Sequence, residues 1–257
     1  MLGLFDSGLG GLTVLRRLNL LLPRYDLLFF ADQANVPYGD RSPSELRKLL
    51  EHNVQRLDEA RVDAIVMACN TSCATAAQYG WPKSRALILD LIDSAALAIE
   101  RAAVSRIAIV ATAATAKSRA YTARIASRMR AAHVTEIAAP RLVPLIEAGK
   151  LEGPEPRSAV EEVCSMMPRD VEAVVLACTH YPLLEREFRN ALGSEIVLID
   201  PAIAHAERAA LLAREHGYPE GSGTIRCMTS GDAAAFEAAV AKLIPRQYET
   251  GRKTARR

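Results

Sequence analysis

The 257-residue chain has no apolar run near the ~20 residues that cross a bilayer, and no charged-then-apolar leader precedes its first strand. It has no CxxC pair and no histidine cluster at ligand spacing. Neither sign of charge dominates, since 32 Lys and Arg stand against 30 Asp and Glu for a net +2. Aromatic residues make up 5%, and no stacking platform or recognition motif accompanies the basic end, Gly251 to Arg257. These absences argue against a membrane-embedded or nucleic-acid-binding protein, and the basic end reads as a solvated, disordered terminus. A cytoplasmic protein is expected. There its five cysteines, at 69, 73, 164, 178 and 227, would stay reduced. Cys69 and Cys73 would stand one helical turn apart, but zinc takes four N or S ligands and the neighbourhood offers two, so no metal is expected.

What the chain does have is core material, with 50% hydrophobic residues and enough length for two ordinary domains. Apolar runs alternate with helical patterns, the signature of parallel sheets flanked by helices. Strands are predicted at Leu2–Phe5, Leu27–Ala31, Ala64–Ala68, Ala86–Leu91, Ile107–Ala111, Val134–Ala138, Ala173–Ala177 and Ile196–Ile199, which makes two sheets of about four. Ser42-Pro-Ser-Glu45 is a capping box with proline in the first helical position, and it opens a helix with Leu46, Leu49, Leu50, Val54 and Leu57 on one stripe. A second helix is predicted to start at Pro182.

Two stretches say nearly the same thing: Val62-Asp-Ala-Ile-Val-Met-Ala-Cys69-Asn-Thr71 and Val171-Glu-Ala-Val-Val-Leu-Ala-Cys178-Thr-His180. Each reads as a buried parallel strand that delivers a cysteine to the carboxyl edge of its sheet, where ligands bind in open α/β folds. The halves also open alike, with Leu2 to Gly8 and Ile107 to Ala113 each running a strand into a turn that bears a short hydroxyl side chain. We therefore expect an α/β protein of two similar parallel-sheet domains related by a pseudo-twofold axis, with the active site in the cleft between them. The second unit begins near Ala95, giving residues 95–202 as one domain and 1–94 with the returning segment 203–257 as the other. One sulfur on each side of a single ligand is what moving a proton between two faces of one carbon requires.

Gly8-Leu-Gly10-Gly11 after the first strand invites a phosphate-binding reading. The dinucleotide pattern would need a third small residue at Thr13, although Asp32 lies at the distance expected of a ribose-binding acid. The same loop, with Asp6 and Ser7 before it, suits an amino acid's ammonium and carboxylate better.

Asp6-Ser7-Gly8-x-Gly10-Gly11, Val36-Pro37-Tyr38-Gly39, Cys69-Asn70-Thr71, Val143-Pro-Leu-Ile-Glu147 and Cys178-Thr179-His180-Tyr181-Pro182-Leu183-Leu184 occur in order, and together they resemble the motif series of the glutamate racemases. The resemblance runs from Leu2 to about His205 and continues more weakly through Thr229-Ser-Gly-Asp232. It implies two α/β domains around a cofactor-free site, with the C-terminal segment packed back on the first. It makes Cys69 and Cys178 the acid/base thiols, Asp6 the partner of Cys69, and His180, supported by Glu147, the partner of Cys178. Ser7, Pro37, Tyr38, Gly39, Asn70, Thr71, Thr115 and Thr179 match positions that hold the substrate's ammonium and carboxylates. The implied reaction interconverts L- and D-glutamate and supplies D-glutamate for peptidoglycan; a homodimer is left open.

The sequence departs from that family at Gln33 and Asn35, where a hydroxyl residue and an arginine are usual, at Asp93-Ser94-Ala95 in place of Pro-Gly-Ala, and at Ala111 in place of glycine. These changes border the substrate loop and the interdomain junction. Three alternatives stand beside the resemblance: a racemase of aspartate or another amino acid, a nicotinamide-dependent oxidoreductase, and a weakened relative that binds an amino acid without turning it over.

Overall fold

The computed structural model describes residues 1–244 and 248–252. Its strands are β1 (Leu2–Asp6), β2 (Leu27–Ala31), β3 (Ala64–Met67), β4 (Leu87–Asp90), β5 (Arg106–Ala111), β6 (His133–Ala138), β7 (Ala173–Ala177), β8 (Val197–Ile199), β9 (Ile225–Thr229) and β10 (Tyr248–Arg252). Its helices are α1 (Leu12–Leu21), α2 (Pro43–Glu59), α3 (Asn70–Tyr79), α4 (Leu91–Ala102), α5 (Ala113–Ser118), α6 (Ala120–Arg128), α7 (Leu142–Glu147), α8 (Pro154–Ser165), α9 (Glu185–Leu192), α10 (Pro201–Glu215) and α11 (Ala233–Leu243).

The strands form two sheets, ordered β10-β9-β2-β1-β3-β4 and β6-β5-β7-β8, and every pairing is parallel. The stretch β2-β1-β3-β4 of the first repeats the order of the second, strand for strand. Cys69 follows β3 and Cys178 follows β7, the equivalent third strands. In both, that strand pairs with the first strand of its half, so the thiol emerges beside the turn that follows β1 or β5. This is the switch point at which such sheets open a crevice.

The expectation of two four-stranded sheets is corrected in the first, which gains β9 against β2 and β10 against β9. The β9 sequence Ile-Arg-Cys-Met-Thr is short and broken by an exposed Arg226, and β10, Tyr-Glu-Thr-Gly-Arg, carries little apolar signal. Pairing with an existing sheet, not side-chain pattern, makes them strands. Gly251 and Arg252, expected in a solvated tail, therefore belong to β10, and the remainder of that tail, 253–257, lies outside the described residues. The helix expected at Pro182 begins later: Tyr181–Leu184 is a 3-10 turn, and the α-helix starts at Glu185.

Alternation along the strands assigns their side chains to different cores. Leu4, Phe29 and Val66 face a layer closed by α1, α10 and α11, whereas Ala108, Val110 and Leu176 face one closed by α7, α8 and α9. Phe5, Ile65 and Met67 of the first sheet share a third core with Ile107, Ile109 and Val175 of the second, through Ile92 and Ile99 of α4 and Tyr121 and Ile125 of α6. Burial of each large side chain there contributes about 1.5–3 kcal/mol, so this shared core holds the halves together. The capping box forms as expected, with Ser42 accepting from the Glu45 N–H at 3.4 Å and Glu45 accepting from the Ser42 N–H at 3.0 Å. Helix α10 packs against α1 and α4, bringing the chain back to the first sheet.

Candidate active site

The carboxyl ends of both sheets open on one cleft of about 550 Å³, its mouth included. The first half contributes Ser7, Pro37, Tyr38, Gly39, Cys69, Asn70 and Thr71. The second contributes Cys178, Thr179 and His180, together with Thr112, Pro140, Pro144 and Tyr181. Asp6 and Glu147 stand just behind this lining and reach it through hydrogen bonds.

Cys69 sits at the N-cap of α3 and its Sγ lies 3.6 Å from Ser7 Oγ. Burial, reinforced by the nearby Asp6 carboxylate, pushes its pKa up to about 12, so at neutral pH it is an S–H group ready to give a proton. Asp6, at the end of β1, accepts from the Gly11 N–H at 2.6 Å and the Thr179 hydroxyl at 3.2 Å. Its own pKa is raised by complete burial, a push opposed by the charge of His180.

The Cys178 thiol has a different neighbour. Its Sγ lies 3.7 Å from His180 Nδ1, and His180 Nε2 lies 2.5 Å from Glu147 Oε1. Burial works against charge on His180, but its contacts with Cys178 and Glu147 and the fields of Cys178 and Asp6 outweigh burial and hold its pKa well above 6.5. An imidazolium beside a sulfur stabilises negative charge developing there.

The glycine loop is shaped by packing against protein groups. A Cβ on Gly10 would lie 2.3 Å from Thr179 Oγ1 and 2.7 Å from the Thr179 carbonyl carbon; on Gly11 it would lie 2.5 Å from Asp6 Cβ. Gly10 lets the first half close on the second, and Gly11 lets the loop fold against Asp6 and Phe29 of its own half. Asp32 is equally engaged, since its carboxylate accepts from Tyr38 (2.6 Å), Ser230 (2.7 Å) and Asn35 (3.0 Å). It is thus a brace for the 36–39 loop, and the ribose-acid role entertained from its spacing falls away.

The departures also acquire partners. Gln33 accepts from Thr229 at 2.8 Å, which ties the loop after β2 to the end of β9, while Arg41 Nε donates to the Asn35 carbonyl at 2.6 Å within that loop. Asp93 pairs with Arg208 and lies 3.6 Å from Arg124. Ser94 Oγ lies 2.9 Å from His205 Nδ1 at the contact of α4 and α10. Ala111 is fully buried and in register with Ala138 and Ala177.

Thr112, not Thr115, faces the cleft. Thr115 is fully buried and lies 3.0 Å from Thr112 Oγ1 and 3.3 Å from Thr71 Oγ1. The signal for Thr112 was present in the turn after the fifth strand, the counterpart of Ser7. Pro144 and Tyr181 lie inside the motifs of the resemblance but are not marked out within them, and Pro140 had no such signal, its place in the lining following from the fold of the second half.

Fold and site define a class: paired α/β units whose equivalent strands each bring one thiol to a common cleft. The chain belongs to the Asp/Glu/hydantoin racemase family, whose profile matches residues 12–209, and this makes it an isomerase. A glutamate racemase of Desulforudis audaxviator is 37% identical over 258 residues, covering 96% of this chain and 94% of that one. The glutamate racemase of Francisella tularensis, solved in complex with D-glutamate, superposes with a TM-score of 0.89 at 25% identity over 98% of this chain and 97% of that one. The enzyme of Thermus thermophilus, solved with beta-chloro-D-alanine, gives 0.84 at 32% identity, covering 99% and 96%.

Proposed function

We propose that this protein interconverts L- and D-glutamate without a cofactor, using Cys178 and Cys69 as a pair of acid/base groups. The observation that carries the reading is the placement of two thiols, from equivalent strands of two like sheets, in the lining of one cleft. Relatives named glutamate racemase over nearly the whole chain support glutamate as the substrate.

With L-glutamate bound, the Cys178 thiolate removes the α-proton and the Cys69 S–H delivers its proton to the other face of the carbon. D-glutamate leaves behind a Cys178 thiol and a Cys69 thiolate, and the reverse reaction starts from that state. The α-proton is far less acidic than a thiol of ordinary pKa near 8.5, so the cleft must stabilise the carbanion-like state. His180, held by Glu147, offsets charge beside Cys178, and Asp6 tunes Cys69 from behind. Ser7, Asn70, Thr71, Thr112 and Thr179 offer polar groups for the ammonium and carboxylates, while Pro37, Tyr38 and Gly39 shape the wall. Thr115 acts through Thr71 and Thr112. Residues 1–94 with the returning segment that begins at 203 form one domain and 95–202 the other, and the product serves peptidoglycan synthesis in the cytoplasm.

Incubation with L-glutamate in deuterium oxide tests the reading. Deuterium at the α-carbon together with D-glutamate is the expected result. A folded protein that shows neither with glutamate, but both with aspartate or another amino acid, would move the substrate; exchange with none would leave a binding protein.

A further inference from the structure

The residues that follow Cys69 are held from the other half of the molecule. Thr71 meets Thr112 and Thr115, and Asn70 meets Tyr121, the second residue of α6. Tyr121 is fully buried among the apolar side chains of the core shared by the two sheets, and its hydroxyl donates to Asn70 Oδ1 at 2.5 Å. Burial first, then the charges of Cys73 and Asp90, push its pKa well above 10, so the hydroxyl keeps its proton. Asn70 itself lines the cleft.

We infer that Tyr121 is a positioning residue for substrate recognition: by holding the Asn70 carbonyl oxygen from across the domain boundary, it turns the Asn70 NH2 group toward a carboxylate of the bound amino acid. An amide has one acceptor and one donor end, and fixing the first fixes the second. Because the tyrosine and the asparagine belong to different halves, this amide is aimed only when the halves are together. The inference rests on the racemase reading for its substrate, and on geometry alone for the Tyr121–Asn70 contact.

The test is a double-mutant cycle on the full chain with Tyr121→Phe, Asn70→Ala and the pair. Tyr121→Phe is expected to raise KM for both glutamate isomers about tenfold with kcat within about twofold, and to add nothing once Asn70 is alanine. An unchanged KM with a lower melting temperature would make Tyr121 a packing residue and overturn the inference, as would penalties that multiply in the double variant. If wild type turns over a different amino acid, the glutamate reading fails and the cycle is run on that substrate against the same criteria. A measurement independent of turnover is the side-chain amide signal of Asn70 in a proton–nitrogen spectrum, identified by its loss in Asn70→Ala. Tyr121→Phe should shift it and speed its exchange with solvent; an unmoved signal overturns the inference whatever the substrate.

Discussion

The two halves use the same strand order and deliver their cysteines from the same strand, yet they surround the two sulfurs with opposite chemistry. Cys69 caps a helix and has a carboxylate behind it, and burial keeps it protonated. Cys178 is followed by a 3-10 turn that begins beside His180, which is held cationic and braced by Glu147. A duplicated fold thus supplies symmetric positions, and the neighbours of each sulfur break the symmetry, Asp6 at the end of β1 for Cys69 and His180 two residues after Cys178 for the other. Under the proposed mechanism, the side with His180 takes the proton of L-glutamate and the side with Asp6 returns one. Catalysis in both directions then depends on the two states being close in energy.

Removal of either sulfur is the harshest break in the comparison. Cys69→Ala and Cys178→Ala should each lower racemisation by at least about 10³-fold with the melting transition preserved. Wild-type turnover in both single variants would refute the two-thiol mechanism.

His180→Asn should lower kcat/KM by about 10²-fold. Enantiomers have equal free energy, so kcat/KM must fall equally in both directions. The asymmetry is read instead from the α-deuterium isotope effect, expected to grow more for L-glutamate, whose proton goes to Cys178, than for D-glutamate. Equal growth would mean that His180 serves both sulfurs alike.

The pH dependence of stability separates the sites as well. His180 binds its proton more tightly when folded, so its contribution is full below about pH 6.5 and fades as pH rises through its elevated folded value. Cys69 follows the same sign at higher pH, its contribution intact below the ordinary thiol range and lost as pH approaches about 12. The melting temperature should fall with rising alkalinity; His180→Asn should flatten the lower part of that fall and Cys69→Ala the upper part. Identical slopes in all three proteins would show that the two groups do not differ from the unfolded chain.

Gly10→Ala probes the seam between the halves. The added Cβ meets Thr179 backbone and side chain, so a loss of about 1–3 kcal/mol in stability is expected, with reduced turnover as Thr179 is pushed from Asp6. Chemical denaturation and steady-state rates report the two effects.

Eight of the strands were legible because buried parallel strands read as unbroken apolar runs, and both thiols were legible because those runs ended on them. The strands β9 and β10 were not, since their strand character comes from the partner sheet. Among the site residues, Cys69, Cys178, His180 and Asn70 stood out through motif and resemblance, and they line the cleft. Thr115 stands behind Thr112, since a capping threonine and the threonine that it caps look alike in sequence and only packing decides which faces the cleft. Tyr121 carried no signal at all, as a tyrosine on an apolar helix face is indistinguishable from core until its hydroxyl finds a partner.

By itself, the sequence determined that there are two like halves, that each presents a thiol at a sheet edge, and that a histidine follows one of those thiols by two residues. These are local properties, written in strand periodicity and in residues adjacent along the chain. Only the tertiary structure decided that Thr179 reaches Asp6, that Asp32 braces Tyr38 and that Tyr121 meets Asn70. Two of those pairs, Thr179 with Asp6 and Tyr121 with Asn70, join the two halves. Their geometry follows from how two cores merge into one, which no local pattern encodes.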